Sequence, residues 1–148
     1  MNEYTFDQCI IGLEASFKVD ITDSFIEKFK NLTGDVNPMH LDASYAISKG
    51  YDDKIVYGMG MASFFSTLVG VYLPGKYALL VGIDIQFPKP LYTGDSIVVS
   101  GKITHKDEVY RRITIKAEIR NQKGEKVSRA KILVGVLDGN GNSLTQPT

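Results

Sequence analysis

A carboxylate and an imidazole lie close together in the segment GDVNPMHLD, where four residues separate Asp35 from His40. Aspartate and histidine have pKa values of about 3.9 and about 6.5 in model peptides, so such a pair can act as a general acid and base. Pro38 lies between them and removes a backbone donor, so we expect loop shape to direct both side chains. The spacing alone is weak evidence, because structural or exposed Asp and His residues are common.

Two neighbouring polar residues are expected to organise this segment. Asn37 precedes a proline, where asparagine readily bonds to nearby backbone, so it should shape the loop and hold Asp35 or His40. Asp42 is expected to cap a following helix, although a carboxylate there could also orient His40. Asn37 is therefore a supporting residue rather than one that touches the reacting atoms.

The first half of the chain contains signals for one strand and two helices before the most apolar segment. Residues 13–19, LEASFKV, alternate as a half-buried strand does, and Thr22 is expected to cap a helix that ends near Gly34. The stretch GDVNPMHLD is predicted to be a shaped loop and not regular helix, because of Pro38. A short helix then begins at Asp42 or Ala43 and is closed by Gly50.

The segment MGMASFFSTLVGVYL follows Gly58 and is apolar on nearly every face, so it is predicted to be a buried central helix. Its length of about 22 Å falls short of a bilayer. Four strand patterns follow it, at 77–87, 96–106, 109–121 and 126–137. The order of elements predicts an α+β domain in which an antiparallel sheet covers one long helix.

Composition favours one self-contained domain spanning residues 1–148, with a flexible tail at 138–148. Lys plus Arg and Asp plus Glu both number 17, so no global basic field favours nucleic acid or an anionic membrane. The single Cys9 is expected to be a packing residue, and the start of the chain has no signal-peptide pattern. We therefore expect a cytoplasmic protein without a metal site or cofactor.

Residues 32–46, LTGDVNPMHLDASYA, resemble the hydratase motif of MaoC-like dehydratases and (R)-specific enoyl-CoA hydratases. The segment IVYGMGMASFFSTLVGVYLPG is similar to the helix that follows this motif in the family, and FPKPLYTGDSI is similar more loosely. The resemblance implies the hot-dog fold, in which the sheet wraps around one central helix. It agrees with the layout that the residue patterns predict.

The resemblance implies reversible hydration of trans-2-enoyl-CoA to (R)-3-hydroxyacyl-CoA, with Asp35 and His40 activating the water. Gly58 would supply a backbone N–H to the thioester oxygen, and a helix N-terminus suits that role. Ser66 would be a polar neighbour on the central helix. Tyr57 departs from many relatives, in which histidine precedes the matching glycine, so the role of its side chain is open.

Two other functions remain open at the level of sequence. A hot-dog acyl-CoA thioesterase would share the fold and the thioester substrate, and a noncatalytic acyl-CoA-binding protein would share the binding surface. The expected partner is an acyl thioester, of coenzyme A rather than of acyl carrier protein. We also expect a homodimer or higher homo-oligomer, because pairing would cover an open sheet edge.

Overall fold

The structure, a computed structural model, describes residues 1–139 of the chain. These residues form four α-helices, a π-helical segment that continues the last of them, and five strands. In chain order the elements are β1 Glu14–Asp20, α1 Asp23–Thr33, α2 Pro38–Leu41, α3 Ala43–Ser48, α4 Gly58–Thr67, the π segment Leu68–Tyr72, β2 Ala78–Gln86, β3 Ser96–Asp107, β4 Arg112–Asn121 and β5 Lys126–Val136.

The five strands form one antiparallel sheet in the order β1-β3-β4-β5-β2. Alternate residues of the central strands are buried, and they pack with α4 and the π segment into one apolar core. The other face of the sheet carries mainly polar side chains. This arrangement confirms the predicted α+β hot-dog fold with its central helix.

A glycine lets the central helix approach the sheet closely. A Cβ atom placed on Gly101 in β3 would lie 2.8 Å from a methyl carbon of Leu68 and 2.9 Å from one of Ile115. Both neighbours are fully buried, so neither side chain has free space to enter. Gly101 therefore sets the distance between the sheet and the helical segment that covers it.

Gly101→Ala is expected to destabilise the protein by about 1–3 kcal/mol, because it overpacks the interface between helix and sheet. Urea unfolding followed by circular dichroism measures this change. Gly135→Ala in β5 is the matched control, since its Cβ would meet no atom closer than 3.7 Å. Equal stability of the two variants would show that the close contact at Gly101 carries no energetic weight.

The predicted caps of α1 and α3 are present. The hydroxyl of Thr22 accepts the N–H of Phe25 at 3.2 Å, and Gly34 ends α1 with φ 74°, a left-handed conformation that suits glycine. The carboxylate of Asp42 accepts the N–H of Tyr45 at 3.1 Å and caps α3. These contacts set the two ends of the segment that contains Asp35 and His40.

The prediction that GDVNPMHLD contains no regular helix is wrong. Pro38 begins the one-turn helix α2, with Asn37 as its N-cap. A proline at the first helical position loses nothing, because the N–H it lacks would have no partner inside the helix. Pro38 thus disfavours helix at the residue before it and begins a helix with the residues after it.

The central helix also differs from its prediction. Regular α-helix ends at Thr67 and the π segment continues to Tyr72. Met59 is 66 % exposed, and Ser66 is also exposed, so one side of α4 is open in the single chain rather than buried all round. None of the helices within residues 1–139 has the length and hydropathy needed to span a membrane.

Asp138 lies one residue before the end of the part of the chain that the structure describes. Its carboxylate accepts the backbone N–H of Phe6 at 2.7 Å and pairs with the guanidinium of Arg111. The chain is therefore anchored at the residue where the flexible tail is predicted to begin. The rest of that tail, from residue 140, lies outside the described residues.

Candidate active site

The loop between α1 and α3 is organised by side-chain to backbone hydrogen bonds. Oδ1 of Asp35 accepts the N–H of Asn37 at 3.1 Å, and Oδ1 of Asn37 accepts the N–H of Met39 at 2.9 Å. The N–H of His40 then donates to the carbonyl of Asn37 at 3.1 Å. Asn37 thus bonds to Asp35 on one side and to Met39 and His40 on the other. The second carboxylate oxygen of Asp35 has no partner among residues 1–139.

The ring of His40 has a defined orientation. Its Nδ1 lies 2.7 Å from the carbonyl oxygen of Ile55, which can only accept, so the hydrogen must be on Nδ1. In the neutral ring, Nε2 is then the atom with a free lone pair. The N–H of Ile55 donates to the carbonyl of Met39 at 3.0 Å, so two hydrogen bonds connect α2 with the residues before α4.

Tyr57 connects Asp35 with His40. Its side chain is only 1 % exposed, and its hydroxyl donates to the backbone carbonyl of Asp35 at 2.6 Å. Its ring centroid lies 4.1 Å from that of His40 and 4.7 Å from that of Phe29 in α1. Burial, followed by the negative charge of Asp35, raises the pKa of Tyr57, so the hydroxyl remains a donor at neutral pH.

Sequence reasoning did not assign this role to Tyr57. The residue stood out only because it replaces the histidine of many relatives, and its partner Asp35 is 22 positions away. The one available signal was an aromatic residue directly before the glycine that begins α4.

Tyr57→Phe is expected to cost about 0.5–1.5 kcal/mol in stability, the usual value of one lost hydrogen bond. Any activity that depends on Asp35 is expected to fall about 10- to 100-fold, because the backbone of that residue loses its anchor. Thermal unfolding and kcat measure the two effects. Tyr45→Phe is the control, since the Tyr45 hydroxyl makes no hydrogen bond within residues 1–139; equal kcat in both variants would contradict the proposed anchoring.

Gly58 lies at the N-terminus of α4, next to Tyr57. The hydrogen bonds of the helix begin with the N–H of Met61 and the carbonyl of Tyr57 at 2.9 Å, so the N–H of Gly58 has no partner inside the helix. A Cβ atom on Gly58 would lie 3.4 Å from the ring of Phe87. Gly58 is partly buried, and its unpaired helix-terminal N–H and the helix dipole favour negative charge at this position.

Ser66 is farther from this group. It lies eight positions after Gly58 in α4, which corresponds to about 12 Å along the helix. Its side chain is exposed and forms no hydrogen bond with another described residue. The structure therefore brings Asp35, Asn37 and His40 together beside the start of α4, and leaves Ser66 outside this group.

The carboxylate of Asp35 is exposed in the single chain, and His40 is partly exposed. Exposed apolar side chains adjoin this group at Val36, Met59 and Phe87, and the edge strand β2 before Phe87 carries two more, Leu80 and Ile83. Among residues 1–139 no three His, Cys, Asp or Glu side chains form a group that could hold a metal ion. This region thus combines a carboxylate, an imidazole and a helix-terminal N–H with an open apolar margin.

A five-stranded antiparallel sheet wrapped around α4, with a polar loop beside the start of that helix, defines a hot-dog domain. The model of the MaoC like domain matches residues 11–126, most of the chain. The protein therefore belongs to the MaoC-like domain family.

Two relatives carry the name (R)-specific enoyl-CoA hydratase. The protein from Aeromonas caviae is 33 % identical over 117 residues, which cover 76 % of this chain and 87 % of the relative. The protein from Rhodospirillum rubrum is 32 % identical over 99 residues, which cover 67 % and 69 %. The similarity includes most of each protein.

Solved structures agree with the fold. The (R)-hydratase from A. caviae superimposes with a TM-score of 0.81 at 29 % identity, over 86 % of this chain and 96 % of that one. An R-hydratase from Pseudomonas aeruginosa gives 0.84 at 23 % identity, over 97 % and 94 %, which supports the fold alone.

Proposed function

We propose that this protein is a hydro-lyase that reversibly adds water to trans-2-enoyl-CoA and forms (R)-3-hydroxyacyl-CoA. The observation that carries the proposal is the bridge through Tyr57, which holds the backbone of Asp35 and the ring of His40 beside the N-terminus of α4. Family membership supports this class of reaction, and relatives named for this activity support the configuration of the product.

In the proposed reaction, the oxygen of water bonds to the β-carbon of the substrate, and one proton is delivered to the α-carbon. The free Oδ2 of Asp35 and the Nε2 of His40 bind the water, accept its proton and return a proton to the α-carbon. His40 can exchange protons there because the Ile55 carbonyl fixes its hydrogen on Nδ1 and leaves Nε2 as the reactive atom. Dehydration follows the same steps in reverse.

Negative charge develops on the thioester oxygen while water attacks. The N–H of Gly58 is proposed to bind this oxygen, since it has no partner inside the helix and lies at the positive end of α4. Phe87 covers the glycine from the side and would shield the site from bulk water. Glycine at this position leaves room for the thioester to approach the backbone.

The acyl chain and a second subunit are proposed to cover the open apolar margin. Strand β2 is an edge of the sheet, and a bulge between Leu80 and Gly82 turns Leu80 and Ile83 toward the helix side, where they are 44 % and 39 % exposed. An unpaired edge with apolar side chains favours association with another copy. Sedimentation is expected to give a homodimer or larger homo-oligomer, and a fully active monomer would contradict this proposal.

Coenzyme A is proposed as the carrier because two relatives that match 76 % and 67 % of this chain are named for enoyl-CoA substrates. Other relatives are named as dehydratases of acyl-carrier-protein substrates, in Solanum lycopersicum and Arabidopsis thaliana, and they match about half of this chain. Parallel assays with crotonyl-CoA and crotonyl acyl carrier protein compare the two carriers. A higher kcat/KM for crotonyl-CoA is expected.

Crotonyl-CoA also separates hydration from thioester hydrolysis. A hydratase removes the absorbance of the enoyl thioester without releasing a thiol, whereas a thioesterase releases free coenzyme A. We expect loss of absorbance and an (R)-3-hydroxybutyryl-CoA product, with no thiol detected. Thiol release with the double bond intact would replace the proposal by the thioesterase alternative, and binding without either change would support a noncatalytic acyl-CoA-binding protein.

A further inference from the structure

A row of charged side chains crosses the outer face of the sheet, the face turned away from α4. The strand register places Lys102 of β3, Lys116 of β4 and Lys131 of β5 directly opposite one another. Glu14 of β1 continues the row at one end and Asp84 of β2 continues it at the other. Three lysines on adjacent strands thus form the centre of the row.

The carboxylates at the ends do not neutralise the centre. Glu14 lies 3.4 Å from the ammonium group of Lys102, but within residues 1–139 no carboxylate forms a salt bridge with Lys116 or Lys131. Like charges directly opposite each other on neighbouring strands destabilise a sheet. The row therefore carries repulsion between neighbouring ammonium groups that a bound anion would reduce.

The row crosses a groove of about 1090 Å³ that is lined by residues from all five strands. Five Lys and Arg side chains and three carboxylates line it, so positive charge is in excess. Its carboxylate Glu118 already pairs with Arg120 and with Lys126. Hydroxyl groups also line the groove, from Ser16, Ser100, Thr104 and Thr114.

We propose that this groove binds a ligand that carries two or more phosphate groups. Adjacent strands are about 4.8 Å apart, so the three lysines span about 10 Å, which suits linked phosphates better than one small anion. Ammonium groups recognise phosphate as point charges and the hydroxyls can donate hydrogen bonds to its oxygens. Among residues 1–139 the only ring that lines the groove is the imidazole of His105, with no Phe, Tyr or Trp beside it, so the phosphates themselves would be the main group recognised.

The site is separate from the proposed active site. Its residues lie on the outer face, whereas Asp35, His40 and Gly58 belong to the loop and helix that the inner face covers. Binding is therefore measured directly and does not depend on hydratase activity. Failure of hydration and failure of phosphate binding would be distinct results.

The test is calorimetric titration of the full chain with inorganic triphosphate at low ionic strength. Wild type is expected to bind saturably, and Lys116→Gln combined with Lys131→Gln is expected to weaken binding at least tenfold. Without ligand, the double variant is expected to unfold at the same or a higher temperature than wild type, because repulsion in the row is reduced. Lys28→Gln, the same substitution at one exposed lysine of α1 outside the groove, is the control and is expected to bind like wild type.

A second titration, with adenosine 3′,5′-bisphosphate, distinguishes the source of the phosphates. Tighter binding than triphosphate, with the same dependence on Lys116 and Lys131, identifies a nucleotide, and weaker binding identifies an oligophosphate. Absence of saturable binding to both compounds would overturn the proposal. So would equal affinities of wild type, the Lys28→Gln control and the double variant.

Discussion

Asp35→Asn is expected to lower kcat for hydration of crotonyl-CoA about 10²- to 10⁴-fold, the usual contribution of a general acid or base. The amide cannot accept a proton at neutral pH, but its Oδ1 can still accept the N–H of Asn37 that organises the loop. The change therefore removes the basic group and keeps the local backbone. Steady-state kinetics with enoyl absorbance, together with thermal unfolding, separate lost chemistry from lost structure.

Asp42→Asn is the matched control for this prediction. It removes a carboxylate seven positions further along the chain, and asparagine caps helices as well as aspartate does, so α3 keeps its cap. Activity close to wild type is expected. If Asp35→Asn retained a similar kcat, Asp35 would not take part in proton transfer and a different site would have to be sought.

His40→Asn is expected to reduce kcat by a similar factor, about 10²- to 10⁴-fold. The amide nitrogen of asparagine occupies nearly the position of Nδ1 and can still donate to the carbonyl of Ile55, whereas the proton-accepting Nε2 is lost. The ring contact with Tyr57 is lost as well, so stability is measured in parallel. His105→Asn, which changes an exposed histidine on β3, is expected to leave kcat unchanged.

The double variant Asp35→Asn, His40→Asn tests whether the two residues act as one unit. Residues that share a catalytic step give strongly non-additive effects, so the double variant is expected to be little slower than the slower single variant. Independent roles would multiply the two factors. A multiplicative result would assign the groups to different steps of the reaction.

Much of the fold is predictable from local signals. Thr22 and Gly34 mark the ends of α1 because capping and left-handed geometry depend on the residue itself and its immediate neighbours. The four strands after α4 appear in the predicted order because alternation of apolar residues reports which face is buried. Pro38 shows the limit of such a rule, since its effect differs before and after it in the chain.

The candidate site was only partly predictable. Asp35, Asn37 and His40 are near one another in sequence, so their proximity required no knowledge of the fold. The contact of Tyr57 with Asp35 depends on how α4 packs against α1, and the open side of α4 depends on what covers it. Packing of this kind is long-range and has no counterpart in residue periodicity.

The lysine row has a similar explanation. Lys102, Lys116 and Lys131 are ordinary surface residues of three amphipathic strands when each strand is considered alone. Their alignment depends on the register of two strand pairs, and each pair contains a bulge, one between Ile103 and His105 and one between Ile119 and Arg120. The alternation of apolar residues predicts which face of the sheet a side chain occupies. It does not predict a bulge, which changes the residues of two strands that lie opposite each other.

The π segment affects how related chains can be compared. The N–H of Leu73 donates to the carbonyl of Leu68 at 2.8 Å, a hydrogen bond five residues back, so this turn contains one residue more than an α-helical turn. Leu68 stays buried, while Tyr72 turns to stack on Phe17 of β1 with ring centroids 4.8 Å apart. A relative with one residue fewer here would therefore align with a gap inside the helix rather than in a neighbouring loop.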